Sequence, residues 1–447
     1  MNNNALFGLL SMSDNGGETL LGFFSSPSAV GLYLAIILIL VAILVGYILV
    51  ALHLVRKNSE QIESEEATQR QDSPQKSETV SNEKNADRGS SRFSQLSRID
   101  EEQKLERPPV YSTYPLDEIC DRFRSFAAGK LGLYYEIADI RRFIAGMGIS
   151  KLVILRGMSG TGKTSLAYAA GEFFGNSSTV VPIQPMWKER SDIIGYFNEF
   201  TKKFSETTML TKLYEAGGRG DVYITVLDEV NISRIEYYFA EFLSLLELPD
   251  AKKRYLDVVA DTWKTDPVRL ENGKLLLPEN MWFVGTANND DSTFAISDKV
   301  YDRAAIIDLE RKCTPFPADD VSVCRISYAE LTRLFEEAKA THALSSESRA
   351  RLARLDAYLA DVFRISFGNR IMKQIEAYIP IMLACGGSEA EALDDILARK
   401  ILRKLEQLSP AYVKSEADAL TALLDELFGE GTMRDSHNYI ERITRGY

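Results

Sequence analysis

The sequence offers little cysteine or histidine. Its four cysteines, Cys120, Cys313, Cys324 and Cys385, are scattered with no CxxC pair, and its three histidines, His53, His342 and His437, lie far apart. Local spacing therefore assembles neither a zinc site nor a disulfide framework, which fits a reducing compartment for the soluble part. An excess of basic charge is also missing: 52 Lys and Arg stand against 64 Asp and Glu, for a net charge of −12. That balance argues against a broad basic face, so nucleic acid is not the expected partner. No internal repeat is evident. What remains, 45% hydrophobic and 26% charged residues over 447 positions, is globular in composition and long enough for more than one domain.

One apolar run breaks that average. Residues 29–55 carry no Asp, Glu, Lys or Arg, and their one histidine, His53, lies near the end. As a helix rising about 1.5 Å per residue, the run is long enough to cross a hydrocarbon core of about 30 Å. It is too long for a signal-peptide core, and no Lys or Arg precedes it, so an uncleaved transmembrane helix is expected. Asp14 and Glu18 lie upstream and Arg56 and Lys57 follow at once. The positive-inside rule then places the head, residues 1–28, outside and the C-terminal bulk in the cytoplasm. Residues 56–109 are dense in Glu, Gln, Ser, Asn, Lys and Arg, with Phe93 as the only aromatic before Tyr111. Such a segment buries too little apolar surface to offset ordering entropy, so it reads as a disordered tether.

Folded character resumes at Val110. The apolar run 152–155 predicts a strand and 165–174 a helix, and between them lies GMSGTGKT, residues 157–164. A strand, a glycine-rich loop ending in Lys-Thr, and a helix form the context of a Walker A phosphate-binding loop. Glycines let the backbone curl so that N–H groups and the helix N-terminus point at phosphate oxygens. Gly157, Ser159, Gly160, Thr161, Gly162, Lys163, Thr164 and Ser165 are the expected nucleotide contacts. Lys163 would bridge the β- and γ-phosphates, and the Thr164 hydroxyl would hold Mg²⁺. Further β-like runs at 179–184, 222–227, 281–286 and 304–309 alternate with helical segments, which predicts a parallel sheet covered on both faces. After about residue 326 only helical patterns follow, at 327–340, 346–363, 370–383, 390–408 and 417–428. The expected organisation is an α/β nucleotide-binding domain over 110–325 and a helical lid with C-terminal helices over 326–447.

The strand 222–227 runs into Asp228 and Glu229. This is a Walker B arrangement, in which Asp228 orients Mg²⁺ through its water shell and Glu229 polarises the water that attacks the γ-phosphate. With LDEVN at 227–231, GTANNDDS at 285–292 and KVYDRA at 299–304, the chain resembles the AAA+ ATPases. Within them it resembles the dynein-related branch that includes MoxR-type chaperone-like ATPases and McrB-type restriction GTPases. The resemblance covers roughly residues 112–405. It implies ATP and Mg²⁺ as cofactors, a homo-oligomeric ring of hexameric size and a protein client. It further implies that Asn288 is the sensor 1 residue and that Arg303 is the arginine finger serving a neighbouring subunit. By the same likeness Arg370, in a Gly-Asn-Arg stretch opening a lid helix, is sensor 2. The usual aromatic after the finger is Ala304 here, which leaves Arg234 and Arg311 as rivals.

Asn272-Gly273 within 269–277 signals a type I′ hairpin, which either resembles the pore-facing insertions of the dynein-related branch or is a surface hairpin that only packs. The segment 184–197, with Trp187, Arg190 and Tyr196, resembles a stretch of McrB-like proteins, and its role is open. Three functions fit: a membrane-tethered remodelling ATPase acting on a protein client, a nucleotide-gated binding module with negligible turnover, and a McrB-like GTP-dependent DNA restriction motor.

Overall fold

A computed structural model of the protein describes residues 91–288 and 293–445. Among the described residues no helix is long and apolar enough to cross a membrane. The expected span at 29–55 lies outside them, as do the head and the first part of the tether.

Among the described residues ten strands form three sheets: β1 Leu152–Gly157, β2 Thr179–Pro182, β3 Gly195–Asn198, β4 Lys203–Glu206, β5 Tyr223–Asp228, β6 Tyr255–Asp257, β7 Leu270–Glu271, β8 Lys274–Leu276, β9 Met281–Asn288 and β10 Ala305–Asp308. The main sheet has the order β10-β1-β9-β5-β2, and all its pairs are parallel. Its inner strands are continuous apolar runs because both faces are covered. Along β1 the side chains alternate between two cores, as a period of two requires. Val153 and Leu155 pack with Phe143, Phe173 and the C-terminal helices, whereas Leu152 and Ile154 pack with Phe239, Phe242 and Phe283.

The helix expected over 165–174 spans Lys163–Phe173, and that expected over 417–428 begins earlier, at Pro410. Before β1 a further helix spans Ile137–Ile149, and Tyr135 ahead of it is held by the phosphate loop, its hydroxyl donating to the Gly162 carbonyl at 3.0 Å. The predicted hairpin forms between β7 and β8, with Asn272 at φ 53° and Gly273 at φ 75°, the two left-handed residues of a type I′ turn. The helix expected over 390–408 is broken into Glu389–Ile396, a π-turn Leu397–Ile401 and a 3-10 segment Leu402–Gln407. The β3–β4 hairpin and the final helix Arg434–Arg445 were not anticipated.

The expected tether does not extend to residue 109. Arg92 and Phe93 are fully buried, and Ser94–Leu105 is a helix packed on Thr208–Ala216. Phe93 lies on Phe204 with centroids 5.0 Å apart. The Arg92 guanidinium donates to Asp266 at 2.9 Å, pairs with Asp261 and stands 4.6 Å from the Trp263 ring centre. Its carbonyl accepts from the Phe204 amide at 2.9 Å, and the Glu206 carboxylate caps the helix at the Gln95 and Leu96 amides. Two residues in a polar context thus fasten the segment to β4 and to the loop before β7.

A fragment beginning at Val110 therefore denatures earlier than the chain that retains this strap. Arg92→Met in the intact chain, which leaves the buried Asp266 without its cation, lowers the unfolding free energy by about 3 kcal/mol in a denaturant titration. Equal midpoints for all forms would refute the strap.

Candidate functional site

Parallel strands end together, so the carboxy-terminal edge of the sheet gathers residues distant in sequence. β1 ends in Gly157, opposite Asn288 of β9, and Leu227 of β5 lies opposite Gly285. From Gly157 the loop turns into the helix Lys163–Phe173. At Gly157, φ 156°, a Cβ would stand 2.3 Å from the Leu309 carbonyl oxygen. Gly162 caps the helix at φ 92°. Only glycine fits both positions, which is the physical content of the motif. Lys163 is buried and its ammonium donates to the carbonyls of Gly157 at 3.0 Å and Met158 at 2.7 Å, so the cation lies across its own loop. The Thr161 hydroxyl donates to the Met158 carbonyl at 3.0 Å. Ser159 and Gly160 are exposed on the loop's outer face, and Ser165 lies in the first helical turn.

The Asp228 carboxylate is the junction. It accepts hydrogen bonds from the Thr164 hydroxyl at 2.7 Å and from the Thr286 hydroxyl at 2.7 Å, joining the loop helix, β5 and β9 at one oxygen. The Thr286 oxygen in turn accepts from the Glu229 amide at 2.9 Å. Glu229 is held at φ 57°, a conformation that costs a non-glycine residue on the order of 1 kcal/mol. Its side chain is exposed at the strand end. Asn288 is fastened by Asn231, whose side chain donates to the Asn288 carbonyl at 2.8 Å and to Thr293 at 2.9 Å. Lys163, Thr164, Asp228, Glu229 and Asn288 are thus brought to one edge, and the converging Thr164 and Asp228 oxygens are the hard donors a divalent cation takes.

Beside the loop opens a cleft of about 480 Å³ lined by Glu136, Asp139, Arg142, Thr314, Arg434 and Asn438, among others. Burial raises the Asp139 carboxyl to about 6, against the pull of Arg142 and Arg399.

Arg303 and Arg370 do not join this group. Arg303 precedes β10 at the opposite, amino-terminal edge, where it pairs with Glu247 at 2.8 Å, and Arg370 binds the other oxygen of Glu247. Both line a cavity of about 640 Å³ with Lys151, Arg254 and Glu279. Six residues of β1 separate Lys151 from the loop, roughly 20 Å at about 3.3 Å each. Arg370 was expected among the nucleotide contacts; within one chain it cannot reach them, because its helix Gly368–Ala384 packs under Ile137–Ile149 rather than over the loop. Of the rivals, Arg234 lies near Phe294, 5.1 Å from the ring centre, and Arg311 follows β10 at the loop edge.

Residues 152–304 match the family model of the AAA domain, dynein-related subfamily. This part of the chain is therefore similar to the AAA domains of that subfamily. Residues 321–447 match a domain of unknown function. No curated protein matches the sequence. Among solved structures, the chain is similar to a candidate ATPase from Cytophaga hutchinsonii, at 13% identity and a TM-score of 0.45 over 69% of this chain and 92% of that one. It is also similar to a full-length MCM homolog from Methanopyrus kandleri, at 12% identity and a TM-score of 0.35 over 65% of this chain and 63% of that one.

Within residues 152–304, Thr286, Asn231 and Glu247 were given no role from the sequence. The signal for Thr286 was a polar residue inside the apolar run of β9. Thr286→Val leaves the Asp228 oxygen short of a donor and the Glu229 amide without an acceptor. It lowers stability by about 1–3 kcal/mol in chemical denaturation, whereas Thr286→Ser retains most of it. Loss in Thr286→Ser with none in Thr286→Val would show that the methyl group, not the hydroxyl, matters.

Proposed function

We propose that this chain is a membrane-tethered, ATP-hydrolysing AAA+ remodelling enzyme that works as a homo-oligomeric ring, a hexamer, on a protein client at the cytoplasmic face. The observation that carries the reading is the Thr164–Asp228–Thr286 junction directly behind a glycine-formed phosphate cradle. Mg²⁺, held by the Thr164 hydroxyl and through water by Asp228, supplies positive charge to the transferring phosphoryl group. Lys163 leaves its two loop carbonyls to meet the β- and γ-phosphates. The amides of Ser159 to Ser165 add donors at the helix N-terminus. Glu229, set at the strand end by the Thr286 hydroxyl, accepts the proton of the attacking water, and Asn288 orients that water. The cleft beside Glu136 and Arg434 takes the nucleoside end.

Arg303 at the far edge supports action in trans. Neither Arg303 nor Arg370 lies at the phosphate loop of its own chain, and a neighbouring copy in a ring presents Arg303, with Arg370 beside it, to that position. Residues 29–55 anchor the assembly with the N-terminus outside. The β3–β4 hairpin supports client contact, since Phe200 at its tip is 99% exposed.

Turnover per subunit rises as the chain assembles. Glu229→Gln lowers the rate by about 100-fold or more while Mg·ATP stays bound, and Lys163→Ala loses the nucleotide itself. Phosphate release against protein concentration, with equilibrium binding of a fluorescent ATP analogue, checks all three. A rate independent of concentration across assembly removes the trans arginine. Full function with Glu229→Gln would mark a nucleotide-gated binding module instead.

A further inference from the structure

The four carbonyls around Arg303 are all held by side chains from elsewhere in the chain. Lys400 donates to those of Tyr301 and Ala304. Gln374 donates to that of Asp302 at 2.9 Å, and Ser150, at the foot of β1, to that of Arg303 itself at 2.7 Å. Three of these four bonds come from the helical region after β10. Arg403 adds a stacking contact, its guanidinium 3.8 Å from the Tyr301 ring centre, and pairs with Asp298.

Lys400 reaches inward because it lies in the π-turn Leu397–Ile401, whose five residues are all buried. Such turns are rare and occur mostly at functional sites. The neighbouring Arg399 points to the other end of β10, where it meets Asp308 at 3.3 Å and Asp435 at 3.1 Å. The second Asp308 oxygen is held by Arg156 at 2.7 Å, the residue before the phosphate loop. Arg399 thus anchors the turn on β10, and that anchoring sets how far Lys400 extends. A regular helix over these residues would not send two consecutive side chains to opposite ends of a four-residue strand. Burial lowers the Lys400 pKa to about 7, with Asp302 opposing and Arg403, Arg370 and Lys404 reinforcing the shift. Charged or neutral, the amine retains the two N–H groups that its carbonyl partners require.

We propose that Lys400 and Gln374 are positioning residues for Arg303, fixing from the helical region the backbone that presents this arginine to the nucleotide of a neighbouring copy. The inference rests on the reading of Arg303 as a residue acting in trans. Neither side chain touches the chain's own phosphate loop, so their effect belongs to the neighbour's turnover. A misplacement of about 1 Å is enough to cost ~100-fold in rate.

The test uses the full-length chain in detergent, with Lys400→Met and, as a milder variant, Gln374→Ala. Uniform assemblies of Lys400→Met lose turnover by about 100-fold, while the affinity of each subunit for a fluorescent ATP analogue with Mg²⁺ stays within about twofold of wild type. Mixing Lys400→Met subunits, whose own loops are intact, with Glu229→Gln subunits, whose Arg303 is correctly held, restores phosphate release above either parent alone. Gln374→Ala shows a smaller loss with the same recovery, and it carries the test if Lys400→Met does not assemble. Absence of recovery, or a fall in nucleotide affinity that matches the fall in rate, overturns the proposal. Arg303→Ala mixed with Glu229→Gln runs in parallel. Failure of that pair removes the trans reading and this inference with it, whereas recovery there without recovery for Lys400→Met and Gln374→Ala removes this inference alone.

Discussion

A single buried carboxylate holds the two halves of the folded chain in register. Asp308, the last residue of β10, lies between Arg156 of β1 and Arg399 of the π-turn, and their guanidinium groups keep its pKa below the usual carboxylate range against the penalty of burial. Desolvating one charge costs several kcal/mol, so this triad persists only because each member satisfies the others. Because the folded pKa is depressed, the stabilisation is complete above the ordinary carboxylate range and is lost as pH falls through the folded value. Arg399 also meets Asp395 and Asp435, and Asp395 and Asp435 meet Arg142 in turn. The phosphate-loop strand, the edge strand and the helical region are therefore bound through one polar network rather than through apolar contact alone.

The legible parts of the fold were those whose chemistry is local in sequence. The phosphate loop was readable because glycine at positions 157 and 162 and the Lys-Thr pair act within eight residues, and the structure shows why no other residue fits 157: the Leu309 carbonyl occupies the space of a side chain. Asp228 and Glu229 were readable because an apolar strand ends in two carboxylates. Thr286 was not, because its meaning comes from two partners 58 and 57 positions away. The strap at Arg92 and Phe93 was hidden by averaging: a single aromatic in a polar segment looks disordered until Phe204 supplies the surface it covers and Trp263 receives the neighbouring Arg92. The break at Leu397–Ile401 was equally invisible, since its cause is the distance between Asp308 and Ala304 in space.

The two edges of the main sheet divide the labour. Its carboxy-terminal edge collects the acidic junction, the glycine loop and Asn288, all within one chain. Its amino-terminal edge collects Arg303 and Arg370, both on the carboxylate of Glu247. Glu247 is one-third exposed, so its attraction for the two cations is screened by water and a stronger anion displaces it readily. A triphosphate carries more charge than one carboxylate. The amino-terminal edge therefore has the character of an anion site held by a weak internal substitute, whereas the carboxy-terminal edge has the character of a cation and phosphate cradle.

That division bears on how force would travel through the molecule. The chain enters its folded part at Arg92, and Arg92 is bonded to Phe204 beside the β3–β4 hairpin and to Asp261 and Asp266 in the loop before β7. Both hairpins lie in connections that leave the sheet at its carboxy-terminal edge: β3 and β4 lie between β2 and β5, and β6 to β8 lie in the connection from Asp228 to β9. The strap therefore ties the incoming chain to the two projecting hairpins and not to the helical region, which is held separately by Arg399 and Lys400. A displacement of the helical region reaches Arg303 through the Lys400 and Gln374 bonds without passing through the strap. The hairpins, in turn, share the core of Phe239, Phe242 and Phe283 with the strand that carries Asn288. In the proposed ring, movement at the nucleotide edge would have two separate exits, one toward the neighbour's site and one toward the hairpins, with the buried sheet between them.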